Sequence, residues 1–188
     1  MLTQFCQQRA EHWYRKAIAG LPCYVRARVH LAEILSATGR TSEAEATLRP
    51  ALASGDPEVS WRLADVLHAE GSVAEAASHL EAARSRFEAL LDEHLLAFAD
   101  HGAEFYIGSG SDPLRALELA QINLGNRPTL RAFEQTYTIA LEAGETDAAN
   151  EISARATKRW GNVFAFQFSP FVQGSLETRK GLPHDDRT

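Results

Sequence analysis

Cysteine is nearly absent. Only Cys6 and Cys23 occur, too few for a disulfide framework or a cysteine-based zinc site, and both are read as reduced core thiols. Lysine is almost as scarce: of 19 basic residues only Lys16, Lys158 and Lys180 are lysines. Against 25 acidic residues this leaves a formal charge of −6, which argues against the broad positive field of a nucleic-acid or anionic-membrane binder. The arginines can still read a single carboxylate or phosphate through their planar fork. No run approaches the roughly 18 consecutive apolar residues of a membrane span. Met1 is followed by Leu2-Thr3-Gln4-Phe5-Cys6-Gln7-Gln8-Arg9, without the basic start and apolar core of a signal peptide, so a cytoplasmic location is expected.

What is present is alanine and leucine at helical spacing. With 45% hydrophobic and 23% charged residues over 188 positions, the chain can bury one sizeable core. Apolar periodicity, cut by glycine and proline, predicts helices at 4–20, 24–38, 42–54, 57–70, 73–100, 113–125, 129–143 and 146–160. The stretch 73–100 is long for a globular helix and is expected to break near Arg84 to Phe87. Asp56-Pro57 and Asp112-Pro113 mark helix starts, aspartate as cap and proline at the first position. Ser72 with Glu75 has the spacing of a capping box.

Internal repetition carries more information. Leu31-Ala32-x-x-Leu35, Gly39, Ala44, Leu48 and Ala51 recur as Leu63-Ala64-x-x-Leu67, Gly71, Ala76, Leu80 and Ala83, every pair offset by 32 residues. This pattern resembles the tetratricopeptide repeat, whose signature runs W-x2-L-G-x2-Y, then A-x3-F, then P. The small residues let two antiparallel helices approach, and Gly39 and Gly71 supply the turn between them. Ala10-x3-Tyr14-x2-Ala17 before Pro22, and Ala116-x3-Ala120 before Pro128, look like second helices of further repeats. A degenerate copy runs from Thr129 to Trp160, with Tyr137, Leu141, Gly144, Ala149 and Ala156 in approximate register. The sequence departs from the family in its shorter period, in a long first helix within 88–112 and in the glycine-rich loop Ile107-Gly108-Ser109-Gly110-Ser111. The resemblance implies an all-α fold, a right-handed α-solenoid of antiparallel helical hairpins, over residues 1–161. Residues 162–188 form a second region.

The two ends stand out. The first helix reads as the second helix of a repeat with no partner before it, which leaves Phe5, Trp13 and Ile18 in need of cover: as a cap, on another subunit, or against upstream sequence. After Trp160, Phe164, Phe166 and Phe168 alternate and Phe171 follows Pro170. Period two predicts an extended segment with one apolar face, packing as a cap or docking into a groove of its own or another chain. From Gly174 to Thr188 the chain is polar, and no ordered structure is expected.

Motifs for chemistry are sparse. Gly108-Ser109-Gly110 precedes a helix but lacks the G-x-x-x-x-G-K pattern and the upstream strand of a phosphate loop. His94, Asp100, His101 and Glu104 cluster in sequence without the H-E-x-x-H spacing, His94 and His101 lying about two turns apart. No strand-turn-helix context suits a nucleophile. The chain is therefore read as a non-enzyme, with no cofactor or metal. A metal sensor or enzyme using His94, His101 and Glu104 is the least favoured alternative.

The resemblance implies that first helices line a concave face that binds a partner. The residues free for that task are Arg26, Val29, His30 and Glu33, then Trp61, Arg62, Asp65 and His68, with Trp61 as aromatic anchor and Arg62 as bidentate donor. The lysine and asparagine clamp of the family members that grip chaperone tails is missing, because the matching positions include Val29, Glu33 and Arg62. The expected role is a protein-interaction module for a peptide or protein of unknown identity, with no nucleic-acid or membrane partner. The alternative is a self-associating scaffold, a homodimer through Phe5 and Trp13 or through Phe164, Phe166, Phe168 and Phe171.

Overall fold

Three helices begin on an oxygen acceptor that satisfies an otherwise unpaired backbone N–H. Asp56 accepts from the Glu58 N–H at 3.0 Å, Asp112 from Arg115 at 3.0 Å and Thr129 from Ala132 at 3.2 Å. The computed structural model describes residues 2–172, with side chains from Cys6. Its helices are α1 (Leu2–Gly20), α2 (Val25–Ala37), α3 (Thr41–Leu48), α4 (Pro57–Ala69), α5 (Val73–Ile107), α6 (Pro113–Asn126), α7 (Leu130–Glu142) and α8 (Thr146–Trp160). No strand occurs among the described residues. The all-α fold of antiparallel helical hairpins is as the repeat pattern implies.

Two boundaries differ from expectation for local reasons. The helix predicted to run to residue 54 is α-helical only to Leu48 and continues as a 3-10 helix over Arg49–Ser54. Pro50 has no N–H to donate to the carbonyl four residues back, so the tighter winding takes over. The break expected near Arg84 to Phe87 is not there: α5 runs 35 residues, and its backbone leaves helical geometry at His94 (φ −142°, ψ 46°).

Three first helices share one template. α2, α4 and α7 are each 13 residues long, and each is followed by a glycine in the left-handed region, Gly39 (φ 75°), Gly71 (φ 83°) and Gly144 (φ 77°). Around each, the same two bonds close the helix: Gly39 N–H to Ser36 O with Arg40 N–H to Leu35 O, Gly71 to His68 with Ser72 to Leu67, and Gly144 to Leu141 with Glu145 to Ala140. This is the Schellman arrangement, and an L side chain at its centre is strained.

The chain divides into two compact units, one ending at Glu93 and one beginning at His94. That boundary lies inside the region 1–161 that the sequence treats as one domain. In the first unit, Val29, Leu31, Ala32, Leu35, Ala44, Leu48, Val59, Leu63 and Leu67 form the core, with Tyr14 and Ile18 of α1 packed against it. The Leu-Ala-x-x-Leu stretch of both copies is therefore core: Leu31, Ala32 and Leu35 are buried, as are Leu63, Ala64 and Leu67. α1 is further tied to the α2–α3 turn by Arg40, whose two terminal nitrogens donate to the Glu11 carboxylate at 3.0 and 2.6 Å.

In the second unit Phe105, Leu119, Ala120, Phe133, Ile139, Ala140, Ile152 and Ala156 are buried. The buried Thr136 hydroxyl lies 2.7 Å from the Ala132 carbonyl and 3.2 Å from that of Ala120. The glycine-rich loop turns its N–H groups inward: Gly110 donates to Phe105 O and Asp112 to Tyr106 O. A Cβ on Gly110 would lie 2.8 Å from Phe105 O, so this close approach requires glycine.

The segment after α8 is a 3-10 helix over Phe164–Phe168, not the extended segment that alternation predicts. Three residues per turn do not put positions 164, 166 and 168 on one face. Phe166 is buried and stacks on Phe171, which meets Tyr137 of α7. Phe164 and Phe168 point outward. The Phe5 side chain and the stretch from Gly174 to Thr188 lie outside the described residues. Among the described residues no helix is long and apolar enough to cross a membrane.

Candidate functional site

On the first-helix face of the first unit, α2 and α4 hold a connected set of polar side chains. Arg62 of α4 donates to Glu33 of α2 at 2.7 Å and sits 3.7 Å from Asp65 one turn further on. The other Glu33 oxygen is 2.9 Å from His30 Nδ1, and the His30 ring lies 5.6 Å from that of Tyr14 in α1. Beside them, an apolar depression of about 330 Å3 between α1 and α2 is lined by Cys6, Ala10, Tyr14, His30, Glu33 and Ile34.

Of the residues expected at a partner-binding face, His30, Glu33, Arg62 and Asp65 are thus brought together at partial exposure. Arg26 and His68 are exposed on the same helices, outside that network. Trp61 is a correction. It is 4% exposed, meets Phe87 edge to face at 6.2 Å and carries the Arg62 guanidinium 3.6 Å above its ring. It is a core residue and the platform for an arginine, not an anchor offered to a partner. Val29, placed beside it in the expected face, is buried too. The Arg62 Nε is buried without a hydrogen-bond partner, because stacking on the indole fixes the fork with only its outer nitrogens toward the carboxylates.

Both cysteines are corrections as well: they are free and exposed, Cys6 on α1 and Cys23 in the turn before α2. Exposure of Trp13 at 59% and of Phe164 and Phe168 at 73% and 66% leaves three of the aromatic residues proposed for capping or self-association uncovered. Phe166 and Phe171 are core residues of the second unit. Among the described residues no group of three or more histidine, cysteine, aspartate or glutamate side chains is placed to hold a metal ion. His94 packs near Phe98, His101 lies 3.9 Å from Asp100, and Glu104 receives Arg131 at 3.2 Å.

Two carboxylates outside the expected face have shifted acidity. Hydrogen bonds from Arg40, and next from Arg15, hold Glu11 down from 4.5 to about 2. Burial pushes Glu134 up from the ordinary carboxylate value. Glu134 lines a groove of about 320 Å3 between α5 and α7, with Ile107 and Ile139 among its apolar walls and Glu104, Arg131 and Glu142 around it. The repeat register carries a signal for Glu134: it stands ten residues before its hairpin glycine, where α2 has Val29 and α4 has Trp61.

Antiparallel hairpins of this length, closed by left-handed glycines and repeated along the chain, define a helical-hairpin repeat scaffold. A family model described as the tetratricopeptide repeat matches residues 25–50 and 57–82, the two hairpins related by the offset of 32 residues. Over these two hairpins the chain is similar to the tetratricopeptide repeat. The fold is similar to that of TTC0263, a thermophilic tetratricopeptide-repeat protein of Thermus thermophilus, at TM-score 0.61 and 14% identity over 93% of this chain and 95% of that one. It is also similar to nearly identical repeats of a putative kinesin light chain of Podospora anserina, at TM-score 0.53 and 21% identity over 82% of each chain. No curated protein matches the sequence.

Proposed function

We propose that the protein is an interaction module that binds a segment of another protein along the first-helix face of its first unit. The observation that carries this reading is the His30–Glu33–Arg62–Asp65 network beside an apolar depression. An apolar hollow with a few fixed polar groups at its edge is the ordinary form of a recognition site. The groups are held at partial exposure by each other and by Trp61, so a ligand meets donors and acceptors already in place. We assign it no reaction.

The test places a photo-crosslinking residue at Arg26 or His68, and separately at Ala46 on a second helix, in the full chain. Partner peptides captured from the first two positions and not from Ala46, with affinity falling about tenfold in Arg62→Ala, are the expected result. Capture at Ala46 alone, or an unchanged affinity in Arg62→Ala, would remove the assignment to this face.

A second reading has its own observation. Phe164 and Phe168 meet edge to face at 5.2 Å while both remain exposed, an apolar pair of the kind that joins copies of a chain. In that reading the protein is a self-associating scaffold.

A further inference from the structure

Glu134 breaks the template its own helix follows. Ten residues before the hairpin glycine, α2 and α4 place Val29 and Trp61 and bury them, and α7 places a carboxylate at partial burial. Among the described residues this carboxylate has no hydrogen bond or ion pair. Burial without a partner raises its proton affinity. Partial burial without a partner makes the charged form less favourable than on an open surface, and no contact within the hairpin offsets that.

The surroundings indicate what would complete it. Ile107 and Ile139 give the α5–α7 groove apolar walls, and Glu104, Glu134 and Glu142 contribute three carboxylates against one guanidinium. That guanidinium, Arg131, is already engaged with Glu104 at 3.2 Å and is 85% exposed at the rim. The matching groups in the first unit neutralise one another, Arg62 with Glu33 and Asp65. On α7 the corresponding positions carry the uncharged Gln135 and Thr138, and Gln135 donates to the Asp100 carbonyl at 3.1 Å.

We infer that the α5–α7 groove is a second binding site, for a partner segment that inserts a lysine or arginine side chain toward Glu134 and lays neighbouring apolar groups on Ile107 and Ile139. The long aliphatic stem of a basic side chain suits such walls while its cation reaches the carboxylate. The pairing is charge-assisted, and at partial burial salt screens it less than a pair on the open surface. This inference rests on the reading of the chain as an interaction module, but it concerns other residues in the other unit.

Short random peptides displayed on phage, selected on the immobilised full chain, test it. The expected outcome is a consensus with a lysine or arginine beside apolar residues. Binding of the selected synthetic peptide should fall about tenfold in Glu134→Gln, and equally when glutamine replaces the peptide's basic residue. The Glu134→Gln chain should melt at the same temperature as the parent or higher, since it loses an unpaired charge. Selected peptides that depend on Arg62 and are indifferent to Glu134 would leave the interaction module standing and overturn this site. Selection of acidic or uncharged sequences in the groove would overturn it too. Failure to enrich any peptide would count against both readings.

Discussion

A guanidinium stacked on an indole and held by two carboxylates is a rigid object. Arg62 lies 3.6 Å over Trp61 and reaches Glu33 and Asp65, so its rotamer freedom is already lost before any partner arrives. Glu11 shows the other use of a fixed charge, fastening an element. Its acidity is lowered from 4.5 to about 2, chiefly by Arg40 and next by Arg15. A depressed carboxylate contributes stability above its unfolded value, and that contribution is lost as pH falls toward the folded value. Glu11→Gln should therefore lower the melting temperature by a few degrees at neutral pH, and its difference from the parent should shrink as pH falls from about 4.5 toward 2, read by circular dichroism. A constant difference across that range would show that the ion pair does not hold α1. Residue types at the site are legible from the repeat register, which puts His30, Glu33, Arg62 and Asp65 on one face. The burial of Trp61 is not, because a period locates a face but does not say how deep the neighbouring helix sits. Phe87, which covers Trp61, lies on another helix.

At the scale of the element, each hairpin depends on one backbone conformation. Gly71 sits at φ 83°, and a Cβ there would meet nothing within 4 Å, so alanine encounters no clash, only the left-handed backbone. Gly71→Ala should cost about 1 kcal/mol or more, measured from the shift in denaturant midpoint. The same exchange at Gly125, inside α6 and equally free of neighbours, should leave the midpoint unchanged or raise it, because alanine favours a helix. Opposite signs at the two positions trace the loss to φ. A midpoint unmoved by Gly71→Ala would mean that the turn does not set the hairpin. Helix starts at Asp56 and Asp112 are readable because capping and proline placement are local chemistry. The 3-10 continuation at Arg49–Ser54 follows from Pro50, and is also local. The departure at His94 has no comparable mark: no proline or glycine stands there, and helix length alone puts the break in the wrong place, between Arg84 and Phe87. The phenylalanine spacing misleads for a related reason. Alternation of apolar residues signals an extended segment only where a sheet exists to receive it, and here Phe166 instead turns inward onto Phe171, which meets Tyr137.

For the molecule as a whole, the uncovered aromatic surface sets a prediction. Phe164 and Phe168 are 73% and 66% exposed, and their replacement by serine removes apolar area without opening the core. If the protein self-associates through this pair, light scattering on the full chain should show a larger species that reverts to the monomer in the Phe164→Ser, Phe168→Ser double variant. A parent chain that is monomeric at high concentration would end the scaffold reading and leave the interaction module. The sequence by itself determined the helical class, the hairpin period of 32 residues and the glycines at which the chain reverses, because these depend on local backbone preference and on spacing along one helix. Only the tertiary structure decided that Trp61 is core, that Cys6 and Cys23 are exposed, that the chain divides at His94, and that Glu134 stands in an apolar-walled groove. Those outcomes depend on which surfaces of separate elements cover one another, and burial of that kind is a property of the packed unit, not of any one segment.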